Sequence, residues 1–434
     1  MSRHERCLPT DIDADTLSQR LTPHQISAGR RPWLLTRDFG LVWWSQLLSQ
    51  VADGVSKLAL LWFVYSVTGS PFKTTIIGVL QTVPPILFSP LIGVSVDRFP
   101  KKAILIGSDV ARAILIGVIP CLISVERFTV ESLYVLVFLN GIATAMFVPT
   151  LSSSVPFMVA RPQFTAANAL LQSTTSIGII IGPALSGLGI AFSSSQDVLC
   201  INAVTYLASA ACLIPIRVVS VPAVLRTDHP IKAVVRELMD GMRYAFAHRG
   251  ILLVILMASL YTFAAGAFTT LFPVFGRKLL DLGPVEIGYL WSWLGVGLLA
   301  VSMGLIRLTT WEMPQRIVAI SVSSIIGGAA LCGLMWTKDL VAASLLVGII
   351  GMGLGAWTPI AWGLIQEISP AHIVGRLMAI YTAIATAASM LGMTAIGWII
   401  EASNEQMGLI GIGIVLFIMA AVAAWFREQV VKAH

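Results

Sequence analysis

Apolar runs of about 20 residues recur along the whole chain, and no other feature restricts its fold so severely. A helix needs roughly 20 apolar residues to cross the hydrocarbon core of a bilayer. Twelve runs reach that scale, over 39–67, 73–96, 103–124, 132–158, 166–192, 197–216, 251–276, 285–306, 316–336, 340–366, 374–400 and 406–426. Backbone groups in lipid must be hydrogen-bonded within closed structures, which leaves helices or barrels, and the alternating pattern of barrel strands is absent from these runs. The expected fold is an all-α polytopic membrane protein with twelve transmembrane helices. Composition agrees: 56% of residues are apolar and 12% charged, against about 45–50% and about 25% in soluble domains.

Loop charge sets the orientation. With the N-terminus in the cytoplasm, 21 Lys and Arg residues fall on cytoplasmic segments and five on the opposite side, while Lys57 and Arg112 lie inside spans. Cytoplasmic loops are enriched in positive charge, so both termini are expected to be cytoplasmic. This asymmetry accounts for the net charge of +6 without a nucleic-acid partner. Residues 1–38 carry Glu5, Asp11, Asp13 and Asp15 and no apolar core segment, unlike a signal or transit peptide. They are expected to form a cytoplasmic tail.

The longest polar connection, 217–250, divides the chain into six-helix bundles at 39–216 and 251–428, with a short tail at 429–434. Within the connection, Ile231, Val234, Val235, Leu238, Met239, Met242 and Phe246 recur at helical spacing opposite Lys232, Arg236, Asp240 and Arg243. That pattern predicts an amphipathic helix at the membrane surface. Pro162 stands six residues before Asn168 ahead of the fifth span, and Pro370 six before Arg376 ahead of the eleventh. Repeated halves with a binding site between them are a recurrent transporter plan.

Between the second and third spans runs GVSVDRFPKK, from Gly93 to Lys102, which fits G-x-x-x-D-R-x-x-[RK]-[RK] at every specified position. Gly93 permits a tight turn, and Arg98, Lys101 and Lys102 hold that turn on the cytoplasmic side. Asp97 is suited to accept hydrogen bonds from a helix N-terminus, where the dipole favours an anion. With SQVADGVSKLALLWFVYSVTGSP in the first span, Asp109 and Arg112 in the third, and VGRLMAIY after the tenth, the chain resembles the major facilitator superfamily over about residues 39–428. Its drug, macrolide and siderophore exporter branch is the nearest in pattern.

The resemblance implies a major facilitator fold in which Asp97 latches the halves at the cytoplasmic face, with Asp109 and Arg112 as charge partners. The matching loop of the second half, GLIRLTTWEMPQR, keeps Arg307 but lacks the Asp-Arg pair, so the latch is expected to be one-sided. In the fifth span, Gly178, Gly182, Pro183 and Gly187 resemble the superfamily's antiporter motif. Glycines at helical spacing let backbones touch, and proline bends a helix by removing a hydrogen bond.

Gln46, Gln50, Asp53 and Lys57 follow one another at spacings of four, three and four, one stripe of the first helix. At 1.5 Å per residue, Asp53 lies roughly 20 Å along the helix from Phe39, near mid-membrane, where an ionisable side chain marks a functional site. Burial favours the neutral carboxyl and a neighbouring ammonium favours the carboxylate. Asp53 is therefore either a proton carrier or half of a fixed pair with Lys57. Glu367, toward the cytoplasmic end of the tenth span, is a further coupling candidate.

By resemblance the first, fourth, seventh and tenth helices line the cavity, and they offer Asn140, Tyr261, Phe263, Trp357, Trp362 and Gln366. An apolar and aromatic wall with few polar anchors suits a hydrophobic or amphipathic small molecule. The expected function is export of such a molecule by alternating access with proton antiport, by a monomer in the bilayer. A lysophospholipid transporter and a siderophore or metal-complex transporter are alternatives within the same fold. An intramembrane enzyme is disfavoured, because all six histidines fall in tails or loops and no metal-ligand or nucleophile cluster is evident. The five cysteines form no C-x-x-C pair, and no metal or other cofactor is implied.

Overall fold

The computed structural model describes residues 37–88, 91–92, 95–96, 99–125, 129–155, 158–159, 164–216, 242–306, 312–369 and 374–433. Outside them lie Gly93, Asp97, Arg98 and Arg307, the tail up to residue 36, and residues 217–241 of the amphipathic connection, as do the side chains of Asn168, Gln366 and Arg376. Of that connection, residues 242–247 are helical.

The crossings are Arg37–Thr68, Pro71–Leu87, Lys101–Ser124, Val130–Ser154, Phe164–Phe192, Ser195–Leu213, Arg249–Leu279, Pro284–Ile306, Met313–Leu334, Leu340–Ile368, Val374–Ala402 and Glu405–Ala433. Eleven helices are long and apolar enough to span a bilayer among the described residues. The second crossing, Pro71–Leu87, has 17 residues in its helix and carries Pro84 and Pro85 in its last turn.

The tenth crossing departs from the expected single helix. It consists of Leu340–Gly355 and Trp357–Ile368 on either side of Ala356. Pro359 brings no N–H to the carbonyl four residues earlier, and Gly351, Gly353 and Gly355 weaken the turns before it. Ala356 keeps helical dihedrals, φ −69° and ψ −31°, so the break is a lost hydrogen-bond step rather than a turn.

The face bearing Arg37 and Ala433 is called here the terminal face, and the opposite one the distal face. Distal turns are short and capped. Gly69, at φ 63°, makes the left-handed corner between the first two crossings, a conformation that costs other residues energy. Ser70 then caps the second crossing by accepting from Lys73 N, with Pro71 next in the first turn. Ser194 and Asp339 cap the sixth and tenth crossings in the same way.

Helix pairing repeats with an offset of six. The first crossing packs on the fifth and sixth, and the seventh on the eleventh and twelfth; the third packs on the fourth and sixth, and the ninth on the tenth and twelfth. Between the halves, the second meets the eleventh and the fifth meets the eighth. Lipid gives helices no hydrophobic reason to associate, so close packing must hold them. Glycines provide it: a Cβ at Gly392 would strike the Phe263 backbone, and one at Gly351 the Leu294 backbone.

The buried apolar clusters define the conformation. One cluster fuses both halves at the distal end, joining Leu58–Tyr65 to Phe268, Phe272, Phe275, Trp291, Ile396 and Ile400. Toward the terminal face, the core separates into an N-terminal-half cluster around Phe39, Phe147 and Leu213 and a C-terminal-half cluster around Ile251, Trp357 and Phe426. The halves are closed together distally and have separate cores on the terminal side.

Candidate functional site

Asp53 occupies the point where the fused distal core begins, beside Ala52 and Val55. Its carboxylate accepts hydrogen bonds from the Tyr206 hydroxyl at 2.7 Å and from Arg112 Nη1 at 3.2 Å. The other terminal nitrogen, Nη2, donates to Asp109. Arg112 also stands against the Phe147 and Tyr206 rings, 4.7 and 4.8 Å from their centroids. Three crossings thus meet at one guanidinium: the first supplies Asp53, the third Asp109 and Arg112, the sixth Tyr206.

Access to the cluster is uneven. The Asp53 side chain is 30% exposed, whereas those of Arg112 and Asp109 are 1% and 0% exposed. Two carboxylates facing one guanidinium leave one negative charge without a contact partner when all are ionised. One bound proton removes that surplus. The donors around Asp53 are Tyr206 and Arg112, an arrangement suited to an acceptor-only carboxylate.

Asp109 has an outlet through hydroxyls. The Ser209 hydroxyl lies 2.6 Å from Asp109 Oδ2 and 2.9 Å from both the Ser45 hydroxyl and the Ser45 carbonyl. A hydroxyl carries one proton, so two arrangements fit these distances. With Asp109 ionised, Ser209 donates to it and Ser45 donates to Ser209. With Asp109 protonated, its O–H donates to Ser209, which turns its own proton to the Ser45 carbonyl. Nearby, Asn202 donates to the Ala52 carbonyl at 3.1 Å and contacts the Ser56 hydroxyl.

The fixed Asp53–Lys57 pair is not formed. Lys57 turns instead toward the other half, with Nζ 5.5 Å from the Trp291 ring centroid in the eighth crossing, and makes no ion pair among the described residues. Arg112, 59 residues from Asp53 in sequence, takes the expected place of Lys57. The remaining stripe residues point inward: Gln46 is buried and Gln50 half-buried. Gln46 Oε1 and Asn140 Oδ1 are buried acceptors without a donor among the described residues.

The glycines of the fifth crossing flank this site. A Cβ at Gly178 would meet the Gln50 backbone, and one at Gly182 the backbone of Gly54, next to Asp53. Gly187 and the Pro183 carbonyl face Pro284 and Gly288 of the eighth crossing. Ser292 of that crossing donates to the Ile180 carbonyl at 2.6 Å. The fifth crossing therefore bears on the backbone beside Asp53 and on the opposite half at once.

The aromatic candidates divide. Trp357 is 1% exposed and does not line an open cavity, which corrects the expectation. It stacks on Tyr261 at 5.7 Å and donates through Nε1 to the Tyr381 hydroxyl at 3.1 Å. The Tyr261 hydroxyl donates to the Leu354 carbonyl at 2.8 Å, beside the break in the tenth crossing. Phe263 is half-buried with its backbone against Gly392, while Trp362 is exposed. Glu367 is exposed and pairs with Arg316 at 2.7 Å.

Lys101 and Lys102 sit at the start of the third crossing. Their ammonium groups donate to the Ser153 carbonyl at 2.6 Å and the Ile214 carbonyl at 2.5 Å, at the C-terminal ends of the fourth and sixth crossings. Cations are favoured there by the helix dipole. Sequence reasoning did not single out Tyr206, Ser209, Asn202 or Ser45. The signal was present, since Asn202, Tyr206 and Ser209 form one polar stripe at spacings of four and three along the sixth crossing.

Comparison with known proteins agrees with this architecture. The chain is similar to macrolide efflux protein A of Streptococcus pyogenes, 25% identical over 358 residues, covering 82% of this chain and 87% of the relative. It is also similar to the multidrug efflux pump Tap of Mycolicibacterium fortuitum, 22% identical over 395 residues, covering 89% and 94%. Among solved structures, a nucleoside transporter aligns with a TM-score of 0.71 at 11% identity, covering 90% of this chain and 98% of that one. A bacterial homologue of the human lysosomal transporter Spinster, inward-facing and unoccupied, aligns at 0.68 with 15% identity, covering 93% and 99%. These two likenesses concern the fold alone. The family described as transmembrane secretion effector matches residues 32–434, and the chain belongs to that family, a transporter branch of the major facilitator superfamily.

Proposed function

We propose that this protein exports hydrophobic or amphipathic drug-like molecules by alternating access, in exchange for protons bound at the Asp53–Arg112–Asp109 cluster. The observation that carries the reading is the unequal charge count at that cluster, two carboxylates on one buried guanidinium, with Asp53 alone partly exposed. A proton enters and leaves through Asp53, and the Ser209–Ser45 hydroxyls accommodate either state of Asp109. The efflux relatives named above support the substrate class.

The excess of cationic loop residues supports an inner-membrane orientation with both termini in the cytoplasm. The terminal face is then cytoplasmic, and the conformation described is open inward. The described acceptor geometry at Asp53 belongs to the state that has released its proton to the cytoplasm and is ready to load cargo. Asp97 and Arg98 complete the proposed cytoplasmic latch in the opposite state, with Lys101 and Lys102 anchoring the adjoining helix ends.

The test uses energised inverted membrane vesicles containing a pH-sensitive dye. Addition of a macrolide or of the hydrophobic cation ethidium is expected to release lumenal protons through the wild-type protein. Asp53→Asn is expected to reach the membrane in normal amount and to lose this release by at least tenfold. Wild-type proton release by Asp53→Asn would refute the assignment, and transport without proton movement by the wild type would refute antiport.

A further inference from the structure

At the distal face, a carboxylate of one half caps a helix of the other. Glu401, near the C-terminal end of the eleventh crossing, accepts from the Ser70 hydroxyl at 2.9 Å and from the Phe72 backbone N–H at 3.2 Å. Ser70 is the N-cap of the second crossing, and its oxygen simultaneously accepts from Lys73 N at 3.2 Å. The chain Lys73 N–H, Ser70 O–H, Glu401 thus places an anion at a helix N-terminus, where unpaired N–H groups and the dipole stabilise it.

One turn further in, the contact has no slack, since a Cβ at Gly397 would meet the Thr75 side chain. A second cross-half contact closes the same face. Arg277 of the seventh crossing stands 5.4 Å from the Trp62 ring centroid of the first.

We infer that Glu401 is the distal gate residue: its carboxylate holds the outer ends of the second and eleventh crossings together and must release the second-crossing N-terminus for that face to open. The inference rests on the alternating-access reading. Among the described residues, the related pair on the other side of the molecule lacks the device. There the fifth crossing approaches the N-terminus of the eighth through Gly187 and Pro284, backbone to backbone. Glu286, the acidic residue of the eighth crossing's first turn, belongs to that same helix and not to the opposite half. Among the described contacts, opening at the distal face therefore requires breaking a charge-assisted cap along one seam and van der Waals and hydroxyl contacts along the other.

The experiment places spin labels at Glu131→Cys and Lys338→Cys, exposed positions at the distal ends of the fourth and tenth crossings, in the full chain lacking its native cysteines and held in lipid nanodiscs. Distance distributions are compared with and without Glu401→Ala and Glu401→Gln. Loss of a cap typically changes an equilibrium on the order of tenfold, so Glu401→Ala is expected to raise the ratio of long to short distances by about that factor. Glu401→Gln keeps an acceptor and is expected to fall between.

Two distances in every variant at an unchanged ratio would overturn the gate while leaving alternating access intact. A single short distance in every variant would remove both. As an independent readout, Ser70→Cys with Glu401→Cys is expected to lose ethidium efflux on oxidation and regain it on reduction. Efflux unchanged in the cross-linked protein would overturn the gate.

Discussion

Replacing Arg112 with Met tests whether charge balance holds the N-terminal half together. The side chain is 1% exposed and is the contact cation for both Asp53 and Asp109. Its removal leaves Asp109 fully buried with the Ser209 hydroxyl as partner, and Asp53 with Tyr206. Breaking a buried ion pair by removing one member costs about 3–5 kcal/mol. Asp109 carries most of that cost, because Asp53 is 30% exposed and can rehydrate.

The carboxylate variants behave differently on the same reasoning. Asp53→Asn or Asp109→Asn leaves one carboxylate on one guanidinium, a neutral pair, and the amide oxygen still accepts from Tyr206 or Ser209. Each is expected to cost about 1 kcal/mol, the scale of an ordinary net hydrogen bond. Arg112→Met combined with both asparagine changes removes every charge, and is expected to recover more than half of the stability lost in Arg112→Met alone. Thermal unfolding of the purified full chain, followed by tryptophan fluorescence and size exclusion, measures all four variants. Arg112→Met as stable as wild type, or a triple variant no better than Arg112→Met, would refute the argument.

Gly182→Leu is expected to abolish transport and lower yield, because its side chain would enter the Gly54 backbone; overpacking of this kind typically costs about 1–3 kcal/mol, and wild-type stability would contradict the close approach. Tyr261→Phe deprives the Leu354 carbonyl of its donor beside the broken tenth crossing; a loss of about 1 kcal/mol is expected, read as a lower unfolding temperature, and an unchanged midpoint would show that the carbonyl needs no such donor.

The sequence made the topology legible because a bilayer imposes a length and composition on each crossing that survive without any alignment. It also exposed the first-helix stripe, since Gln46, Gln50, Asp53 and Lys57 share one face by spacing alone. It did not reveal the partner of Asp53. Local spacing favoured Lys57, one turn away, but the Trp291 ring across the interface draws that ammonium off, and Arg112 arrives from another helix. Resemblance ties Asp109 and Arg112 to the cytoplasmic latch, whereas their described contacts lie with Asp53, Ser209, Phe147 and Tyr206. Nothing in a helical tryptophan says which way it faces, so Trp357 read as cavity lining although it is core. The distal cap was illegible for a related reason, as Ser70 and Glu401 are 331 residues apart and meet only through the packing of two crossings.

The two halves provide an internal control for the charged cluster. Counted from their first residues, Lys101 and Met313, the third and ninth crossings place Asp109 and Arg112 in register with Ser321 and Ser324. Ser321 donates to the Ala420 carbonyl of the twelfth crossing at 3.0 Å, so the ninth–twelfth contact carries a neutral hydrogen bond where the third–sixth contact carries Asp109 and Ser209. Counted from Arg37 and Arg249 in the same way, Asp53 corresponds to Ala265. The packing scheme therefore forms without buried ions, and a neutral hydroxyl suffices at the equivalent seam. Because buried ion pairs seldom add net stability over a neutral alternative, packing gives no reason for the charges in the N-terminal half. A group that must exchange a proton does give one, and Asp53, on the single partly exposed arm of the cluster, is placed to do so.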